Sequence, residues 1–225
     1  MSDYITIYLI RHARQSSSLC NVNVELSKEG IMQSELLAER LQKCNIKKVY
    51  SSDLIRAVET ADIIRKYNNL ENDIDDTAFQ YADLEETDFG ELTGLEDELL
   101  RVKYADYYKA RYEDRLDLRI PGGENGEEVC IRMQRAINKI IDEAIENNYD
   151  DIAVVSHGGA IRCFLAGVLG MSQGKRFLIS KNMENTAITE LRVYKNEKIM
   201  TVERINDYSH LYGHEKLLRK FFKNI

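Results

Sequence analysis

Ile5 to Ile10 is a short apolar run rich in β-branched residues, and a helical period follows in Ile31, Leu37, Ala38 and Leu41 behind a Ser27 cap. The chain therefore opens as strand, loop, helix. The unit repeats: Ile46 to Tyr50 predicts a second strand. Asp53 stands where it would cap a helix carrying Leu54, Ala57, Val58 and Ala61 at helical spacing and running through Ile63 and Ile64. Farther on, Asp151 to Ser156 has the continuous apolar character of a strand buried on both faces. It runs directly into His157-Gly158-Gly159 and a helical stretch from Ala160 to Leu169. Alternating strands and helices imply a mostly parallel sheet covered on both faces.

Residues 87 to 120 interrupt this alternation. They lack strand patterning, carry Tyr104, Tyr107, Tyr108 and Tyr112 among mixed charges, and predict a helical insertion. Pro121-Gly122-Gly123 then turns the chain, and Asn125 with Glu128 three positions on forms a capping-box pattern for a long helix to about Asn147. Ala187 to Tyr194 and Lys198 to Ile205 predict the last strands. The tail, with His210, His214 and the run Leu217 to Phe222, predicts a short amphipathic helix.

The junctions between strands and helices concentrate the chemistry. Arg11 and His12 follow the first strand, Arg56 the second, and His157 the strand ending at Ser156; in an open parallel sheet such ends share one edge, where ligands bind. Arg56 is informative by itself, because a cation in the first turn of a helix opposes the helix dipole. A bound phosphate, accepting from both the guanidinium and the free N–H groups of the helix start, resolves that conflict; a surface pairing with Asp53 or Glu59 is the alternative. Gly158 and Gly159 let backbone approach an anion closely in the same way, although an ordinary strand-to-helix turn uses the same residues.

Composition narrows the partners. A formal net charge of -7 over 225 residues argues against nucleic acid, so any anion site must be local. No run approaches the roughly 20 apolar residues of a membrane span, and Met1 leads into the first strand without the basic start of a signal peptide, which predicts a cytoplasmic protein with no membrane partner. Cys20, Cys44, Cys130 and Cys163 are widely spaced and suggest neither a zinc site nor a disulfide framework.

Five segments in order, Arg11-His12-Ala13, Ser51 to Ala61, Leu84 to Gly90, Pro121 to Glu124 and Ser156 to Gly159, resemble the histidine phosphatase superfamily, in its phosphoglycerate-mutase-like branch. The resemblance spans about residues 4 to 210. It implies a three-layer α/β/α sandwich with a mostly parallel sheet, an antiparallel edge strand and a single domain over 1–225, residues 87 to 120 forming a small helical lid. It also implies a metal-independent, cofactor-free phosphatase acting on a small phosphate monoester. His12 would be the nucleophile that becomes phosphohistidine, Arg11, Arg56 and His157 would surround the phosphoryl group, and Glu86 would serve as acid and base, with Glu85 its near neighbour. Alpha-ribazole phosphatase-like and broad-specificity enzymes are the nearest groups in style.

The chain departs from that pattern at Ala13 (usually Gly), Arg14 (often Glu), Ser18 (commonly Asn) and Asn125 (often Ser). Ser18 could still give a hydroxyl to phosphate, Asn21 or Asn23 an amide, and Arg14 a second positive contact. A phosphoglycerate mutase and a non-catalytic phospho-ligand sensor are the two alternative functions, and a homodimer is left open.

Overall fold

The computed structural model describes residues 2–73 and 77–219. Five strands form one sheet in the order β2-β3-β1-β4-β5: β1 Tyr4–Arg11, β2 Lys48–Ser51, β3 Asp151–Ser156, β4 Ile188–Tyr194 and β5 Met200–Asp207. β1 and β2 each pair parallel to β3, while β4 runs antiparallel to both β1 and β5. The strand that opposes the others is thus β4, one place in from the edge.

Helices α1 (Lys28–Leu41) and α2 (Ile55–Tyr67) cover one face. Their Leu37, Ala38, Leu41, Ala57, Ala61 and Ile64 pack on Ile10, Val49, Ala153 and Val155 of the sheet. On the other face, α5 (Gly126–Glu146) and α6 (Gly158–Val168) pack Met133, Ile137, Ile140, Ile161 and Phe164 on Ile5, Ile7, Leu9, Ile152 and Val154. Alternate residues of β1 and β3 therefore serve opposite faces, as strand geometry requires, and the sheet is buried between two helical layers. Residues 87 to 120 include α3 (Asp97–Lys103) and α4 (Ala105–Tyr112).

Capping follows the sequence at two helices and departs from it at a third. Ser27 accepts from the N–H of Gly30, and Asn125 and Glu128 form the reciprocal capping box of α5. Asp53 does not cap α2. Leu54 occupies the cap position, and the first helical N–H, of Ile55, is taken by Oδ1 of Asn23 at 2.9 Å. A side chain from a distant loop has replaced a local cap. In the tail the described residues form short 3₁₀ turns at Ser209–Leu211 and Glu215–Leu217, not the expected amphipathic helix, and Lys220 to Phe222 of that segment lie outside the described residues. Among the described residues no helix is long and apolar enough to cross a membrane.

Candidate active site

The C-terminal ends of the parallel strands lie on one edge, with Arg11 of β1 in register with Ser156 of β3. The backbone zips one residue further, since His12 N–H donates to Ser156 O and Ser52 N–H to Val155 O, both at 2.9 Å. β4 begins at this same edge, and the residues just before it clamp the end of β1: Thr186 N–H donates to Arg11 O, Arg11 N–H to Ala187 O, and Asn185 Nδ2 to His12 O. His12 is held from a second side through its neighbour, because Thr60 Oγ1 accepts from Ala13 N–H at 3.1 Å and donates to Arg56 O at 2.7 Å.

His12 and His157 face each other with ring centroids 4.9 Å apart. His12 Nδ1 lies 2.6 Å from Ala13 O, which can only accept, so Nδ1 carries the proton. Nε2 then keeps its lone pair and accepts from Arg56 Nε at 3.3 Å. Burial, followed by the charges of Arg11 and Arg56, pushes the His12 imidazole well below its ordinary range; burial, followed by His12 and Arg56, does the same to His157. Both rings are neutral at physiological pH.

Cations surround this pair. Arg56 sits in the first turn of α2, as the sequence predicts, and its other nitrogens donate to Val22 O and Asn21 Oδ1, each at 3.0 Å. Arg11 Nη1 donates to Met183 O at 2.5 Å. Among the described residues, Arg11 Nε and both ring nitrogens of His157 are buried without a hydrogen-bond partner. Buried polar atoms left in this way cost about 1–3 kcal/mol each; a bound anion accepting from Arg11 Nε and from the one protonated nitrogen of the neutral His157 ring would recover part of that cost. Among the described residues no cluster of His, Cys, Asp and Glu could hold a metal ion.

The Glu86 carboxylate stands on the N-terminus of α6. It accepts from Gly159 N–H and Ala160 N–H at 3.0 Å and from Thr87 N–H at 2.9 Å, where the helix dipole also favours negative charge. Gly159 is required there, because a Cβ would collide with the Glu86 carboxylate, and Gly158 is crowded by the Arg11 side chain. The two glycines thus make room for protein side chains. Arg132 of α5 secures the loop from behind, donating to the carbonyls of Asp83, Glu85 and Glu86 and pairing with Glu124, whose carboxylate accepts from Asp88 N–H. The Pro121-to-Glu124 segment and the Leu84-to-Gly90 segment are two halves of one clasp. Glu85 is held elsewhere, in a hydrogen bond with Asp53; burial and that acidic neighbour push it up to about 7.

Other positions sort cleanly. Asn21 joins the site, but its amide orients Arg56 and ties the loop to Thr87 O. Ser18 is exposed on the same loop, away from these contacts, and Arg14 donates to the carbonyls of Leu217 and Leu218 in the tail. Sequence reasoning missed Thr60, Asn185 and Arg132. Thr60 carried a readable signal, lying one helical turn after Arg56; Asn185 and Arg132 reach His12 O and Glu86 O from far along the chain and carried none.

The chain matches the histidine phosphatase superfamily (branch 1) over residues 7–207. It is 33% identical over 217 residues to phosphoglycerate mutase-like protein 4 of Arabidopsis thaliana, covering 93% of this chain and 88% of that one. It is 29% identical to a metal-independent phosphoserine phosphatase of the same plant, covering 98% and 89%. A mycobacterial glucosyl-3-phosphoglycerate phosphatase shares the fold, with a TM-score of 0.76 at 23% identity over 90% of this chain and 99% of that one. With strand-end histidines, arginines and a helix-bound glutamate meeting at one edge, the chain belongs to the histidine phosphatase superfamily and is an enzyme of its phosphoglycerate-mutase-like group.

Proposed function

We propose that the enzyme is a metal-independent phosphatase that hydrolyses a small phosphate monoester through a phosphohistidine on His12. The observation that carries this reading is the fixed tautomer of His12: its Nδ1 is committed to Ala13 O, leaving the Nε2 lone pair turned toward Arg56, where a phosphoryl group would be held. In the first step, with Glu86 entering the cycle protonated, Nε2 attacks phosphorus in line, the P–O bond to the alcohol breaks, and the departing ester oxygen takes the Glu86 proton. In the second, Glu86 accepts a proton from the attacking water, and inorganic phosphate departs from His12. Arg11, Arg56 and His157 supply fixed donors to the equatorial oxygens in both steps, the role that a metal plays in other phosphoryl transfers.

An imidazole kept neutral by burial, and then by adjacent guanidinium groups, is a nucleophile already in its reactive form, and those same groups stabilise the charge that develops beside it. The four thiols, none in a disulfide, fit the cytoplasmic location proposed with this activity. The test is phosphate release from p-nitrophenyl phosphate in the presence of a chelator. His12→Ala is expected to lower kcat on the order of 10⁴-fold or more. Undiminished activity in that variant, or dependence on added metal, overturns the proposal. With 3-phosphoglycerate as substrate, accumulation of the 2-isomer faster than phosphate would assign a mutase instead.

A further inference from the structure

The His12 carbonyl and the Ala13 N–H belong to one peptide plane, and that plane is gripped at both ends. Asn185 Nδ2 donates to the oxygen at 2.9 Å, and Thr60 Oγ1 accepts from the N–H at 3.1 Å. The imidazole bonds the next carbonyl, Ala13 O, so the tilt of this plane bears on where Nε2 points. Thr60 is anchored within α2, through its bond to Arg56 O. Asn185 has no such helix behind it, because Asn185 and Thr186 form a turn just before β4. Something else must hold that turn for its grip on His12 to be firm.

Thr186 is fully buried with a φ of 57°, in the left-handed region. That conformation disfavours a β-branched residue and suits glycine, so the threonine must be explained by its hydroxyl. The hydroxyl lies 2.6 Å from Asn185 O and 2.9 Å from His210 Nε2. A carbonyl can only accept, so the one hydroxyl proton is spent on Asn185 O, and Thr186 Oγ1 then accepts from His210. His210 therefore carries its proton on Nε2. Its Nδ1 keeps a lone pair and faces Arg40 Nη1 at 3.5 Å. Arg40, in the last turn of α1, is itself set by Ser209 Oγ at 2.9 Å and Asp207 Oδ2 at 2.5 Å. Every donor in this series points inward: Arg40 to His210, His210 to Thr186, Thr186 to Asn185, and Asn185 to His12.

Resting on the phosphatase reading above, we propose that His210 is a positioning residue for the reaction: oriented by Arg40, it locks the Thr186 hydroxyl and, through Asn185, fixes the peptide plane that aims the His12 nucleophile. The ring acts as a hydrogen-bond donor and touches neither phosphate nor alcohol. Precision of this kind matters because a small displacement of an attacking atom costs rate without costing substrate binding. A histidine that served only to stitch the tail to the body would lower stability and leave the rate of each folded molecule untouched.

Three variants separate positioning from support. His210→Phe keeps a ring and removes both nitrogens, His210→Gln places an amide N–H near the former Nε2, and Thr186→Val removes the hydroxyl. With p-nitrophenyl phosphate, and kcat expressed per folded molecule from the amide NMR spectrum of the same sample, His210→Phe and Thr186→Val are each expected to lower kcat about tenfold with KM within about twofold. His210→Gln should recover most of the rate. The double variant His210→Phe with Thr186→Val should lose no more than either single one, since a series broken once is not broken further. Ring nitrogen NMR of the chain's four histidines reads the same lock without turnover. His12 is expected as the Nδ1–H tautomer in the wild type and as a mixture of tautomers in His210→Phe. Unchanged kcat per folded molecule in the single variants, losses that multiply in the double variant, no recovery in His210→Gln, or an unmoved His12 tautomer each overturn the positioning role. A wild type that hydrolyses no ester, with the His12 tautomer still shifted by His210→Phe, removes the phosphatase reading and leaves the lock on His12 standing.

Discussion

The two sides of the proposed site are built differently. The side assigned above to phosphate hangs on strand ends: Arg11 and His12 are zipped to β3 and clamped by the segment before β4, and Thr60 ties their loop to α2. The side that carries Glu86 is assembled from a loop carboxylate, the first turn of α6 and Arg132 of α5, which grips the loop carbonyls. Backbone hydrogen bonds of a buried sheet leave a side chain little freedom, whereas loops and tails can be exchanged without disturbing the core. Attack on phosphorus is thus expected to depend on the first side and proton transfer to and from the leaving and attacking oxygens on the second.

The sharpest way to break this comparison is at Glu86, the one proposed reacting group that comes from a loop. Glu86→Gln keeps the shape, and its carbonyl oxygen can take the place of Oε1 on the Ala160 and Thr87 N–H groups, but its NH2 cannot accept from Gly159 N–H and it carries no transferable proton. The expected loss in kcat is on the order of 10²- to 10⁴-fold for esters of poor leaving alcohols, and smaller for p-nitrophenyl phosphate, whose leaving group needs no proton. Glu85→Gln is the control. Glu85 is pushed up to about 7 by burial and Asp53, a range suited to an acid, while geometry puts Glu86 at the α6 N-terminus beside His157. A larger loss in Glu85→Gln, with the same dependence on the leaving group, would transfer the acid role and undo the picture of a carboxylate held on the helix.

The same division decided what could be read from the sequence. Arg11, His12, Arg56 and His157 were legible because each follows an apolar strand, and register then carries them to one edge without further information. The loop from 84 to 90 was legible only by resemblance, as nothing in its local pattern says that Arg132, four dozen residues away, will grip its carbonyls. Asp53 reads as a cap because capping rules are local; the N–H it would satisfy goes instead to Asn23 of a distant loop. The tail departs from its predicted amphipathic helix for the same reason, since its contacts to Arg14, Met183 and Glu184 are all made to distant backbone or side chains.

Acid should act first on the buried histidines. His12 and His157 are held neutral by burial, and His210, whose Nε2 lies 2.9 Å from Thr186 Oγ1, is pushed down to about 4 by burial and then by Arg40, with Asp207 opposing. A histidine with a lowered folded-state value binds its proton more readily when unfolded. These groups therefore cost no stability above about pH 6.5, and stability falls as pH drops below it. For His210 the loss between pH 6.5 and 4 is about 3 kcal/mol. Denaturant melts of the wild type and His210→Asn at pH 7 and 4.5 measure it; the variant should show the smaller decline, and equal declines would remove His210 from the acid-sensitive set.

The smallest effect tests whether the phosphate side is as tightly determined as its hydrogen bonds suggest. Thr60→Val preserves shape and deletes one hydroxyl, leaving the Ala13 N–H buried and unpaired; the expected cost is about 1–3 kcal/mol, read as a lower denaturation midpoint. Thr60 touches neither phosphate nor alcohol in this scheme. If it positions His12, kcat falls about tenfold with KM little changed, and Thr60→Ser restores both stability and rate. If only stability moves, the clamp by Asn185 and Thr186 is sufficient by itself, and the rigidity of this edge comes from β4 and not from α2. That result would shift the origin of His12's precision to the antiparallel strand β4, which carries none of the residues assigned to the reaction.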